Sequence, residues 1–178
     1  MSTLQEINAT AEAIARRYNP DKLAPFPYEA IIKDSPDLDI IFLDLEDDTV
    51  SGVILYEDTS KQFNILINAA KHPNRQHFTL GHELGHYFLH QALLKEEKGL
   101  VDGENSVDNT NILYRLDDPA EKNRIETEAN HFAAGLLMPE DLVRDAWDAT
   151  ADIEESAKIF NVSTIAMSIR LTELGLVS

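Results

Sequence analysis

Apolar residues recur at helical spacing near the start of the chain: Leu4, Ile7, Ala11, Ile14 and Ala15 share one side of a segment closed by Asn19-Pro20. This predicts an amphipathic helix from Leu4 to Tyr18, a docking helix or N-terminal cap. Pro27 is placed to start a second, short helix through Ile31 and Ile32, stopped near Ser35-Pro36. The period then changes. Asp39 to Leu45, Val50 to Tyr56 and Gln62 to Ile67 are rich in β-branched and aromatic residues. The acidic turns Glu46-Asp47-Asp48 and Glu57-Asp58-Thr59-Ser60 separate them, which predicts a three-stranded antiparallel sheet.

Helical periodicity returns over residues 74 to 92, where Phe78, Leu80, Leu84, Tyr87, Phe88 and Leu89 supply a wide apolar surface and Pro73-Asn74 marks the start. Lys98 to Asp118 is polar and rich in Gly, Asn and Asp, and reads as a long functional loop. Within it, Ile112 to Leu116 is more strand-like. Residues 120 to 137 form a helix with its apolar face centred on Ile125, Ala129, Phe132 and Leu136, and a further helix runs from Glu140 to Trp147. Ile153 to Phe160, the turn Asn161-Val162-Ser163 and a helix from Thr164 to Leu174 complete the chain in a helix-turn-helix-like pattern.

These elements define an α+β fold. The expected division is an N-terminal helix (1–24), a main domain (25–148) and a helical tail (149–178), packed as one unit. A chain of 178 residues with 43% hydrophobic content can bury one good core. It has no run of 18 apolar residues and no signal-like start, so a cytoplasmic protein without membrane contact is expected. The absence of cysteine removes disulfides and thiolate metal sites, leaving histidine and carboxylate as the strong ligands. A net charge of -17 argues against direct DNA binding and favours a basic protein partner. The tail agrees, because Asp152, Glu154, Glu155 and Glu173 outnumber Lys158 and Arg170.

The candidate chemistry lies in His82-Glu83-Leu84-Gly85-His86, an HExxH motif on the predicted helix. Side chains four residues apart lie on one helix face, so two imidazoles can grip one metal ion with Glu83 beside them. A hydrolytic zinc takes three protein ligands and keeps the fourth position for water, for which Glu83 would be the base. His90 extends the stripe, but eight residues place it ~12 Å along the axis from His82, too far to share that ion. Leu89 and Ala92 stand where an extended three-histidine motif requires glycine and histidine. The third ligand must therefore come from another helix. Glu126 and Glu128 compete for it from opposite borders of the apolar face, and the loser is expected to be a solvated carboxylate. Periodicity does not choose between them.

The segment Glu128-Ala129-Asn130-His131-Phe132-Ala133-Ala134-Gly135-Leu136-Leu137-Met138-Pro139, together with HELGH and His77-Phe78-Thr79-Leu80 before it, resembles the ImmA/IrrE-type metallopeptidases over roughly residues 25 to 178. The resemblance implies a small zincin-like domain and favours Glu128 as third ligand, with Glu126 second. It also implies an endopeptidase that cleaves a helix-turn-helix transcriptional repressor of phage, mobile-element or stress-response genes. The alternative within the resemblance is a zinc-binding sensor or toxin–antitoxin-like partner acting by contact alone. Tyr114 and Arg115 are candidates to stabilise the oxyanion, and His90 and His131 are further candidates near the site. The strand Phe63 to Asn68, just before the metal-binding helix, is a candidate edge for pairing with an extended substrate.

Overall fold

A computed structural model describes residues 3–45, 49–97, 99–103 and 119–177. The N-terminal periodicity becomes α1 (Leu4–Tyr18). Its start is fixed by a reciprocal cap in which the Glu6 N–H donates to the Thr3 hydroxyl (3.2 Å) and the Thr3 N–H to the Glu6 carboxylate (2.6 Å). After α2 (Glu29–Asp34) come β1 (Leu38–Leu43), β2 (Val50–Glu57) and β3 (Gln62–Asn68), close to the three expected runs.

Their arrangement differs from the expected antiparallel sheet. Among the described residues the sheet has four strands in the order β1-β3-β2-β4, the fourth being β4 (Gly99–Gly103). Strands β1 and β3 run parallel, while β2 is antiparallel to both β3 and β4. Alternation reports which residues face the core and says nothing of strand direction, so the pattern could not reveal this. Lys61, at a φ of 60°, helps turn β2 back into β3, which then lies between β2 and β1. Ile65 is central, opposite Ile40 on one side and Ile54 on the other. Strand β3 therefore has no free edge, and the expected substrate pairing along it is ruled out. β4 was missed because it is five residues long, begins and ends in glycine, and falls in the polar stretch read as loop.

The expected metal-binding helix is α3 (Pro73–Leu89), with Pro73 at its first turn. Every residue from Thr79 to Tyr87 is buried, because the sheet covers one side of α3 and α5 (Pro119–Leu137) the other. The helix stops earlier than expected. His90 leaves helical geometry (φ -124°, ψ 24°), and α4 (Gln91–Glu97) sets off afresh. Close approach of α3 and α5 depends on Gly85, where an added Cβ would stand 3.0 Å from both the Cα and the carbonyl oxygen of Ala129. The far side of α5 packs on α1, where a Cβ at Gly135 would meet that of Ala11 at 3.0 Å.

The tail comprises α6 (Glu140–Thr150), α7 (Ile153–Phe160) and α8 (Thr164–Glu173). Asp152 and Ser163 cap α7 and α8, accepting from the N–H groups of Glu155 (3.0 Å) and Ala166 (3.1 Å). Asn161 takes the left-handed conformation (φ 51°) that ends α7. The buried Arg170 of α8 donates to the Met138 carbonyl (3.0 Å) and to the Glu12 carboxylate (2.8 Å), joining the tail to the end of α5 and to α1. Among the described residues, no helix is long and apolar enough to cross a membrane.

Candidate metal centre

One turn of α3 separates His82 from His86, and their Nε2 atoms lie 2.9 Å apart. Glu126, reaching across from α5, places Oε2 3.2 Å from the Nε2 of His82 and Oε1 3.5 Å from that of His86. Ligand-type atoms of these three residues all lie within 4.8 Å of one another. Two imidazole nitrogens and a carboxylate are donors that suit a borderline cation such as zinc. The surroundings fit one as well. Oε1 of Glu126 is buried with no hydrogen-bond partner among the described residues, a costly state that a cation would relieve. Burial first, and then the neighbouring His82 and His90, hold the pKa of His86 well below 6.5, which keeps the ring neutral and its nitrogen available.

The structure brings Glu126, rather than Glu128, up to the histidine pair. Residues two apart on a helix are ~200° apart around its axis, so Glu126 and Glu128 cannot face the same point. Glu126 faces the histidine pair. Nor is the other carboxylate solvated as expected: Glu128 is buried and accepts from Nε2 of His90 (2.9 Å) and from Nη1 of Arg124 (2.6 Å). Burial opposes ionisation of Glu128, but the bonds to His90 and Arg124 outweigh it and leave the pKa below 4.5.

The rings of His82 and His86 are both held from behind. Nδ1 of His82 lies 3.0 Å from Oδ1 of Asn130, and Nδ1 of His86 lies 3.1 Å from Nδ1 of His90. His90 thus stays out of the three-residue group, as its axial distance requires, and touches its back. Burial lowers the pKa of His90 despite the opposing influence of Glu128. The orienting Asn130 was not singled out from the sequence, although it stands in the quoted segment four residues after Glu126, one turn along the same helix.

Glu83 is fully buried on α3 between the two histidines in sequence. Its place depends on Gly52 of β2, where a Cβ would approach Oε1 of Glu83 to 3.3 Å and collide with the Thr79 methyl group. His131 points elsewhere, toward Glu173 of α8 (3.6 Å), and helps line a cavity of about 490 Å³ with Asn130, Phe78, Ile165 and Ile169. Tyr114 and Arg115 lie outside the described residues.

An α+β domain in which an HExxH helix meets a glutamate from a second helix defines a metallopeptidase class. Residues 33–172 match the IrrE N-terminal-like domain, Peptidase M78, and the chain belongs to that family. Among its relatives, Metallopeptidase ImmA of Bacillus subtilis (strain 168) is 27% identical over 127 residues, 70% of this chain and 64% of its own. The Radiation response metalloprotease IrrE of Deinococcus radiodurans is 35% identical over 115 residues, 61% of this chain and 30% of its own. The chain therefore spans less than two thirds of either relative's length. In fold it is similar to a Mycobacterium tuberculosis transcriptional regulator, with a TM-score of 0.60 and 16% identity over 94% of this chain and 46% of that one.

Proposed function

We propose that the chain is a zinc-dependent endopeptidase of regulatory type, with His82, His86 and Glu126 as metal ligands and Glu83 as general base and acid. The observation that carries this reading is the convergence of the two Nε2 atoms and the Glu126 carboxylate, with a buried glutamate adjoining the first histidine. A purely structural zinc would need a closed fourth position and no such glutamate. When bound, the cation supplies Lewis acidity toward water and the scissile carbonyl. Glu83 takes a proton from the attacking water as the O–C bond forms, then delivers it to the amine nitrogen as the C–N bond breaks. His82 and His86 contribute as neutral rings, and Asn130 keeps the first of them in place through its Nδ1.

The proposed substrate is a cytoplasmic regulatory protein, most specifically a helix-turn-helix repressor. Support comes from the family and from the charge: a protein at -17 attracts a basic DNA-binding partner and repels DNA itself. The test compares new protein N-termini in cells carrying wild type or Glu83→Gln, with equal metal content confirmed. Cleavage of a small DNA-binding protein by wild type alone is the expected result. Identical profiles from zinc-loaded proteins, with and without cellular stress, would overturn the enzymatic reading in favour of a contact regulator.

A further inference from the structure

We propose that Glu128 and His90 form a positioning relay that sets the tautomer of His86, with Arg124 anchoring its outer end. The inference rests on the metal centre proposed above, and concerns a carboxylate on the other side of α5 from Glu126. Four side chains stand in a line: Nη1 of Arg124 donates to Oε1 of Glu128 (2.6 Å), Oε2 of Glu128 meets Nε2 of His90 (2.9 Å), and Nδ1 of His90 meets Nδ1 of His86 (3.1 Å).

Only one placement of protons satisfies this line with neutral rings. An ionised carboxylate only accepts, so Nε2 of His90 must carry the hydrogen and donate it to Glu128. The Nδ1 of His90 then has a lone pair and no proton. Because two lone pairs repel, Nδ1 of His86 must be the N–H that donates to it. A neutral imidazole has one ring hydrogen, which leaves Nε2 of His86 bare and directed at His82 and Glu126, where a cation requires it. The carboxylate thus acts on the centre through two rings in series, whereas metal-bound histidines ordinarily donate to a carboxylate, carbonyl or water directly.

The fold explains why the line closes. His90 ends α3 with non-helical dihedrals while its N–H still donates to the His86 carbonyl (2.8 Å), so the two rings are kept at one turn's separation. Arg124 is four residues before Glu128 on α5, the spacing that brings an arginine and a glutamate together on one helix face. The Arg124 side chain is 36% exposed and that of Glu128 12%, so the relay runs from the surface inward to the pair of ligand-type nitrogens.

The test uses the full-length protein, with Glu128→Leu removing the acceptor, Glu128→Gln keeping an oxygen there, and Glu126→Ala as the ligand control. Nitrogen-15 spectra of labelled histidines in the metal-free protein report the tautomer directly. The wild type and Glu128→Gln should show His86 protonated at Nδ1, and Glu128→Leu should show a mixture. Zinc affinity, measured against a chromophoric chelator, should fall ~10–100-fold in Glu128→Leu, stay near wild type in Glu128→Gln, and be lost in Glu126→Ala. An unchanged His86 tautomer in Glu128→Leu, or wild-type zinc affinity in that variant, would overturn the relay. Failure of wild type itself to bind zinc, with the tautomer still responding to Glu128→Leu, would sink the metal centre and leave the relay standing.

Discussion

Gly85→Ala tests the link between helix packing and the metal centre most directly. The methyl group would stand 3.0 Å from both the Cα and the carbonyl oxygen of Ala129, and 3.3 Å from Cβ of Phe132. Carbon contacts are optimal at ~3.5–4.0 Å, so α5 must retreat by roughly 0.5 Å, and two of the obstructing atoms are backbone and cannot rotate away. Overpacking of this kind costs about 1–3 kcal/mol, against ~1 kcal/mol recovered from the better helix propensity of alanine. The net loss is about 1 kcal/mol, a fall in Tm of ~2–4 °C for a chain of this length. The larger effect falls on the site, because Glu126 is one turn from Ala129 and moves with it. A thermal scan with and without zinc measures both consequences, since ligand stabilisation scales with the logarithm of affinity. The metal-dependent rise in Tm should shrink in Gly85→Ala and persist in Gly81→Ala, whose methyl group would have as its three nearest neighbours atoms of the Leu137 side chain, at 3.0–3.4 Å. Unchanged stability and an unchanged zinc response in Gly85→Ala would refute the claim that this glycine sets the distance between the two helices.

Metal analysis of Glu126→Ala should show loss of bound zinc, whereas Glu128→Ala should retain the stoichiometry at reduced affinity; the reverse ranking would restore Glu128 as ligand. Gly52→Ala should displace Glu83 and lower kcat of peptide cleavage while leaving zinc bound, and a variant with normal turnover would show that Glu83 tolerates the intrusion. Burial lowers the pKa of His77 to about 4 from 6.5, so between those values the unfolded chain binds more protons than the folded one. Its contribution, on the order of 3 kcal/mol, is complete above pH ~6.5 and disappears as the pH falls toward 4. Urea unfolding between pH 4 and 7 should accordingly show a shallower slope for His77→Gln than for wild type, and equal slopes would mean that His77 does not titrate with folding.

The site's ligand-bearing helix was legible because its spacing is local: the four-residue interval that pairs His82 with His86 is a property of one helix. Choosing between Glu126 and Glu128 was not local. The choice depends on how α5 is rotated against α3, which is set by Gly85 meeting Ala129 and by α1 packing behind Gly135. The family segment begins at Glu128, on the opposite border from the carboxylate that meets the histidine pair. Both carboxylates are engaged, since Glu126 faces His82 and His86 while Glu128 meets His90 behind them. In the sheet, the runs of Ile and Val located β1, β2 and β3, but their direction follows from the path of the chain between strands. No pattern of inward and outward residues encodes that path.

The family match begins at residue 33, yet α1 ends at Tyr18 and forms the wall behind α5. An expression boundary drawn at the edge of that match would delete the surface against which Gly135 lies and the Glu12 carboxylate that Arg170 reaches from α8. Truncation would leave the buried Arg170 guanidinium without the part-buried Glu12 carboxylate, and losing one partner of such a pair is destabilising in a domain of marginal stability. The unit recognised by the family match is thus smaller than the packed unit around the glutamate-bearing helix, and fragments for expression or crystallisation should include α1 with its Thr3 cap.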